Sequence, residues 1–188
     1  MSAAGRAAVT FAGSGDAFGS GGRFQAYIHI RPPRGEAVLL DCGATSLAAL
    51  KRQGLDPGDI GTVFVSHLHG DHFGGLPFLV LDGQFAKRSR PLRVAGPQGT
   101  AQRLTEAMEA MFPGSSTAHR RFAVQIVELQ PGRTARVGDI EVDAWEVAHP
   151  AAHHHWRCVW TSAEPGSPTP ATRPGPMPSS TRPPEPTC

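Results

Sequence analysis

The sequence predicts an α+β domain. Three observations carry that expectation. Seven short apolar or alternating runs read as strands, only two segments read as helices, and a group of histidines and an aspartate follows directly on one of the buried strands. The 188 residues are enough for one medium domain with its own core, and 39% of them are apolar.

Taken in order, Val9 to Gly13 reads as a strand ending in a glycine turn, and Gly13 to Gly22 as a glycine-rich loop. Phe24 to Ile30 alternates like a strand, and Ala37 to Asp41 is a more continuously apolar, more buried one. Ser46 can cap a short helix from Leu47 to Gln53, with Gly54 where a C-terminal glycine belongs. Thr62 to Val65 is another buried strand, and it delivers the histidines. Leu92 to Ala95 is a short strand closed by Gly96-Pro97. Leu104, Ala107, Met108, Met111 and Phe112 form one apolar stripe at helical spacing, stopped by Pro113-Gly114. Phe122 to Leu129 and Ile140 to Val147 read as two further strands.

This organisation covers residues 1–150. Residues 151–188 differ. Nine of the 18 prolines fall in residues 165–188, where almost nothing is apolar, so no core is expected there. Between them, Ala151 to Glu164 holds three consecutive histidines and two tryptophans without a clear period.

Composition excludes little else. The formal net charge is +2, so nucleic acid is neither demanded nor excluded. Cys42, Cys158 and Cys188 lie far apart and do not make a disulfide framework, which fits a reducing compartment. With no apolar signal core and no run of about 18 apolar residues, a soluble cytoplasmic protein without a membrane partner is expected.

The chemistry concentrates in His67-Leu68-His69-Gly70-Asp71-His72. His67 and His69 lie two apart just beyond a buried strand, so both imidazoles can face one point. Asp71 and His72 follow within the same turn, with Gly70 allowing the tight backbone and Gly74-Gly75 continuing it. Imidazole with carboxylate suits zinc, and iron or manganese would also accept it. His149 is the natural third imidazole, because it follows a strand as His67 does. Asp71 and His72 would begin an adjacent second site. A metal-bound water ionises near pH ~7, which supplies hydroxide for hydrolysis.

From Asp41-Cys42-Gly43 to Val65-Ser66-His67-Leu68-His69-Gly70-Asp71-His72-Phe73-Gly74-Gly75-Leu76-Pro77, the chain resembles the metallo-β-lactamase superfamily, most of all its ribonuclease Z-like branch. Gly96-Pro97-Gln98-Gly99 matches that branch's G-P-x-G turn, and Ala148-His149-Pro150 its third-histidine strand end. The resemblance implies an αββα four-layer sandwich with a dinuclear site, zinc being the expected metal. It implies His67, His69 and His149 at the first metal, Asp71 and His72 at the second, Asp71 as proton acceptor, and Asp41 in support. The implied substrate is a small phosphodiester or other ester, with RNA left open.

The departures are as informative. The branch's later aspartate, in a G-D-T strand end, and its final histidine are not visible. Nothing between Gln84 and Thr117 is long enough for a tRNA-gripping arm, and Asp41-Cys42-Gly43-Ala44-Thr45 lacks the usual D-C-G-E-G-T form. The codons suggest why. In the overlapping reading frame Trp160–Thr161 must give Asp, Met177–Pro178 must give Ala, and GC-rich choices allow a strand ending in G-D-T at the Thr172 codon. A frameshift near Ala151–His154 would therefore have removed the rest of the fold. The expectation is a metal-dependent hydrolase incomplete at its C-terminus and crippled by lost second-site ligands. The alternative is a non-catalytic truncated metal-binding product. A proline-rich interaction module is a weaker third, because the tail has no P-x-x-P core with flanking specificity.

Overall fold

The structure, a computed structural model, describes residues 6–147 and 155–161. Short β-rich runs give β1 (Ala8–Gly13), β2 (Tyr27–Arg31), β3 (Ala37–Leu40), β4 (Ile60–Phe64), β5 (Leu92–Gly96) and β6 (Val124–Glu128), which hydrogen-bond in that order into one six-stranded sheet. The first three pair antiparallel, and β3 to β6 run parallel. Parallel neighbours need a crossover. Here the crossovers carry α1 (Ser46–Arg52), then α2 (Gly70–Phe73) and α3 (Leu76–Phe85), then α4 (Thr100–Met111). A second, antiparallel sheet holds β7 (Thr134–Val137), β8 (Ile140–Val147) and β9 (His155–Thr161).

Because strand side chains alternate, the large sheet has two distinct faces. Ala12, Tyr27, Leu39, Val63, Val65 and Val94 pack beneath the helices with Leu50, Leu76, Val80, Leu104 and Met108. Val38, Phe64 and Ala95 point the other way, onto Val137, Val142 and Ala144 of the second sheet. Three of the four layers of the expected αββα sandwich are thus present among the described residues. Among these residues, no helix is long and apolar enough to cross a membrane.

Several expectations shift. Thr45, not Ser46, stands at the N-terminal cap of α1, and no side chain caps it; Ser46 is inside the helix and buried. Gly54 does adopt the left-handed conformation, at φ 69°, that ends the helix. The strand expected from Phe24 begins only at Tyr27, because Gln25 is engaged with the loop of Thr45. The stripe on α4 buries Leu104 and Met108, while Met111 is 45% exposed and Phe112 already lies beyond the helix. Four elements were not expected at all: α2, α3, β7 and β9. α3 is apolar on most sides, so it shows no helical period, though Pro77 in its first turn is a start signal. In β9, Trp156, Cys158 and Trp160 do alternate, but among histidine and arginine.

Candidate metal centre

The site forms at the carboxyl ends of two adjacent parallel strands, where open α/β sheets gather ligands. Asp41 follows β3, and Ser66 to His72 follow β4. Asp41 is held at φ 62°, a left-handed conformation that costs a β-carbon-bearing residue about 1–3 kcal/mol. Its own N–H donates to the Phe64 carbonyl at 2.7 Å, which fixes the turn.

That turn aims one carboxylate at the histidine loop. The Ser66 N–H donates to Asp41 Oδ1 at 2.7 Å, and the Ser66 hydroxyl donates to Oδ2 at 3.0 Å. His72 Nδ1 stands 2.7 Å from the same Oδ2. The Ser66 oxygen also lies 3.0 Å from His67 Nδ1 and 3.4 Å from His72 Nδ1. With the proton of His72 on Nδ1, facing Asp41, its Nε2 becomes the electron-pair donor. A carboxylate behind an imidazole is the arrangement that orients metal-ligating histidines. Burial lowers the pKa of His72, but the hydrogen bond and charge of Asp41, with the charge of Asp71, outweigh it and leave the pKa raised. Asp71 Oδ2 is 3.3 Å from His72 Nε2.

The structure therefore brings His67, His69, Asp71 and His72 together. The ring centres of His67 and His69 are 4.7 Å apart, and those of His67 and His72 4.0 Å. His149 lies outside the described residues, as do His153 and His154. Among the described residues, no three histidine, cysteine, aspartate or glutamate side chains are arrayed as a metal pocket. The donor set still fits a borderline metal: three imidazoles and a carboxylate within one turn, with an outer carboxylate on one ring. Two surface clefts, of about 260 and 320 Å³, lie elsewhere, one lined by Asp56 and Arg88, the other by Gln98 and Glu128. Glu128 is already used, accepting from the Gly99 and Ala101 N–H groups at the start of α4.

The glycines do different work from that expected. Gly70 has an ordinary φ and open space where a β-carbon would stand, so it is not what makes the turn tight. Gly43 and Gly75 are. A β-carbon on Gly43 would sit 2.1 Å from the Asp71 carbonyl oxygen, and one on Gly75 would sit 2.2 Å from that of Gly43. The two loops are further laced by Cys42 N–H donating to the His72 carbonyl at 2.7 Å and Gly75 N–H to the Cys42 carbonyl at 2.8 Å. Cys42 itself is buried, and burial pushes its thiol up to about 12, so it is no nucleophile. Ser66 and Gln25 were missed by the sequence. Ser66 had one signal, its place immediately before His67; Gln25 had none.

Comparison with known proteins follows the same lines. A family model described as anti-Pycsar protein Apyc1 matches residues 7–162. Ribonuclease BN of Salmonella paratyphi B is 33% identical over 133 residues, covering 70% of this chain and 42% of the relative. Among solved structures, the short form of human tRNase Z is similar with a TM-score of 0.67 and 26% identity, covering 82% of this chain and 64% of that one. The metallo-β-lactamase-fold protein YhfI from Bacillus subtilis is similar in fold at TM-score 0.59 and 20% identity, over 82% of this chain and 58% of that one. The chain thus spans about two-fifths of the curated relatives it matches.

Proposed function

Because the chain belongs to the anti-Pycsar protein Apyc1 family, with a metallo-β-lactamase fold, we propose that its histidine cluster is the centre of a metal-dependent phosphodiester hydrolase. The observation that carries this reading is the carboxylate of Asp41 set 2.7 Å behind His72, in a cluster that also holds His67, His69 and Asp71. The relatives named ribonuclease BN and tRNase Z favour a phosphodiester over other esters.

In this proposal His67, His69 and His149 hold one zinc, and Asp71 and His72 contribute to a second; iron or manganese would suit the same donors. When bound, such a metal lowers the pKa of its water towards neutrality and polarises a phosphoryl oxygen. The chain's own residues do the rest. Asp41 and Ser66 fix the tautomers of His72 and His67. Asp71 accepts the proton of the attacking water at a carboxylate oxygen. As the new P–O bond forms and the old ester bond breaks, that proton passes to the departing alcohol. The three scattered cysteines agree with a cytoplasmic setting.

A second reading is a non-catalytic metal binder. It is favoured by one sequence observation: the G-D-T aspartate and final histidine of the ribonuclease Z-like branch are not visible after His149. Zinc content of the purified chain, with hydrolysis of bis(p-nitrophenyl) phosphate, separates the two. Turnover abolished by His67→Ala supports the hydrolase. About one zinc per chain, without turnover, supports the binder, and absence of zinc, or zinc content unchanged in a His67→Ala, His69→Ala double variant, overturns both. Sequencing the gene through codons 148–188 tests the frameshift.

A further inference from the structure

The glycine-rich loop is built, not slack, and it ends in an aromatic ring held in water. Asp16 Oδ1 accepts from the N–H groups of Phe18 and Ser20 at 3.1 and 3.0 Å, and Gly19, Gly21 and Gly22 hold left-handed conformations that few other residues would. Phe18, within this frame, is 96% exposed. One side chain ties the loop to residues 43–45, which pack on the histidine loop at Asp71. Gln25 Nε2 donates to the Ala17 carbonyl at 2.9 Å, while Gln25 Oε1 accepts from Thr45 N–H at 3.3 Å. The Gln25 N–H donates in turn to the Thr45 hydroxyl at 3.0 Å. A β-carbon on Gly43 would lie 2.7 Å from Gln25 Oε1 and 2.1 Å from the Asp71 carbonyl. Ala17, Gln25, Gly43 and Asp71 thus form a continuous chain of contacts, and Phe18 is the next residue along.

We propose that Phe18 is a substrate-contacting residue at the rim of the metal centre, where it stacks on a planar ring carried by the phosphodiester, and that Gln25 is the positioning residue that holds it there. A fully exposed phenyl ring on a pre-formed loop gains most from such a partner, and stacking on an aromatic is sequence-tolerant but ring-dependent. The inference rests on the phosphodiesterase reading of the histidine cluster.

The test compares two stable phosphodiesters, diphenyl phosphate and dimethyl phosphate, by calorimetric titration of the zinc-loaded chain. The wild type should bind diphenyl phosphate more tightly, and Phe18→Ala should lose roughly tenfold for that ligand alone, with Phe18→Trp restoring it. Gln25→Glu keeps the acceptor for Thr45 but loses the donor to Ala17. It should therefore give the same ring-selective loss with zinc affinity unchanged, and faster tryptic cleavage after Arg23. Equal binding of both ligands by wild type, or no change in Phe18→Ala, overturns the role of Phe18. Slow cleavage and intact ring preference in Gln25→Glu overturn that of Gln25. If neither phosphodiester binds with zinc present, the phosphodiesterase reading falls, and this inference with it.

Discussion

On its helix side the six-stranded sheet buries Leu39, Val63, Val65 and Val94 against Leu50, Leu76 and Val80, all at or near zero exposure; on its other side Val9 and Phe11 of the edge strand are 56% and 73% exposed. Register puts Val9 opposite Ile30 and Phe11 opposite Ile28, and Ile30 packs towards the second sheet, so the two exposed residues share that face. The difference teaches where the scaffold of the site resides. The loops of Asp41 and His67 to His72 rest on the helix-side core, and among the described residues every member of that core lies within β1 to β6 and their crossovers.

Removing core volume on the two faces should break the symmetry most strongly. Leu39→Ala should cost about 2–5 kcal/mol in urea unfolding, as a fully buried leucine does. If it costs no more than Phe11→Ser, the helix-side core is not the scaffold. Next comes the seam between the loops. Gly75→Ala forces a carbon onto the Gly43 carbonyl and should cost roughly 1–3 kcal/mol, with weakened zinc binding; Gly70→Ala, with open space around it, should cost neither. Asp41→Asn keeps the volume but removes the charge behind His72. A chelator competition should show zinc affinity down roughly 10–100-fold, and unchanged affinity would remove Asp41 from the site.

A smaller, pH-confined effect belongs to His29, buried on the helix face. Burial, with Arg31 adding and Asp59 opposing, lowers its pKa below the ordinary 6.5. Below that pH the unfolded chain binds this proton more readily than the folded one, so His29 makes stability fall as pH drops from 6.5 towards the folded value. His29→Gln should flatten that limb of the stability–pH curve. The smallest effect is at Phe11, whose replacement by serine should leave stability within about 0.5 kcal/mol. It should reduce self-association in light scattering, since an exposed apolar edge strand is an aggregation template.

What could be read from the sequence follows the same division. Elements with a clean period or cap were visible: β3, β4 and β8, the amphipathic α4, and the end of α1 at Gly54. α3 was not, because Leu76 to Leu81 is apolar at every position and a helix packed on several sides has no stripe to read. The donors were legible because four of them sit within six residues, His67 to His72. Their supports were not equally so. Asp41 came through the resemblance of its Asp-Cys-Gly turn, whereas Gln25, Ala17 and Thr45 are joined only by the fold, Gln25 reaching 8 residues back to Ala17 and 20 forward to Thr45. The roles of Gly43 and Gly75 are of that second kind too: Gly43 needs hydrogen in place of a β-carbon because of the Asp71 backbone, and Gly75 because of the Gly43 backbone.

Asp41 and His67 to His72 belong to one strand–helix–strand unit, β3–α1–β4, and the loop that leaves it. Hydrogen bonds from that unit alone, Asp41 to Phe64 and Asp41 to Ser66 and His72, bring the carboxylate and the imidazoles into register. The cluster therefore needs only about 35 consecutive residues to meet, a short loop closure in entropic terms. On the proposed assignment, a metal ion present while the chain emerges would encounter His67, His69, Asp71 and His72 well before β6 and the second sheet exist. The same ion would then act as a folding nucleus for the sheet that later holds it.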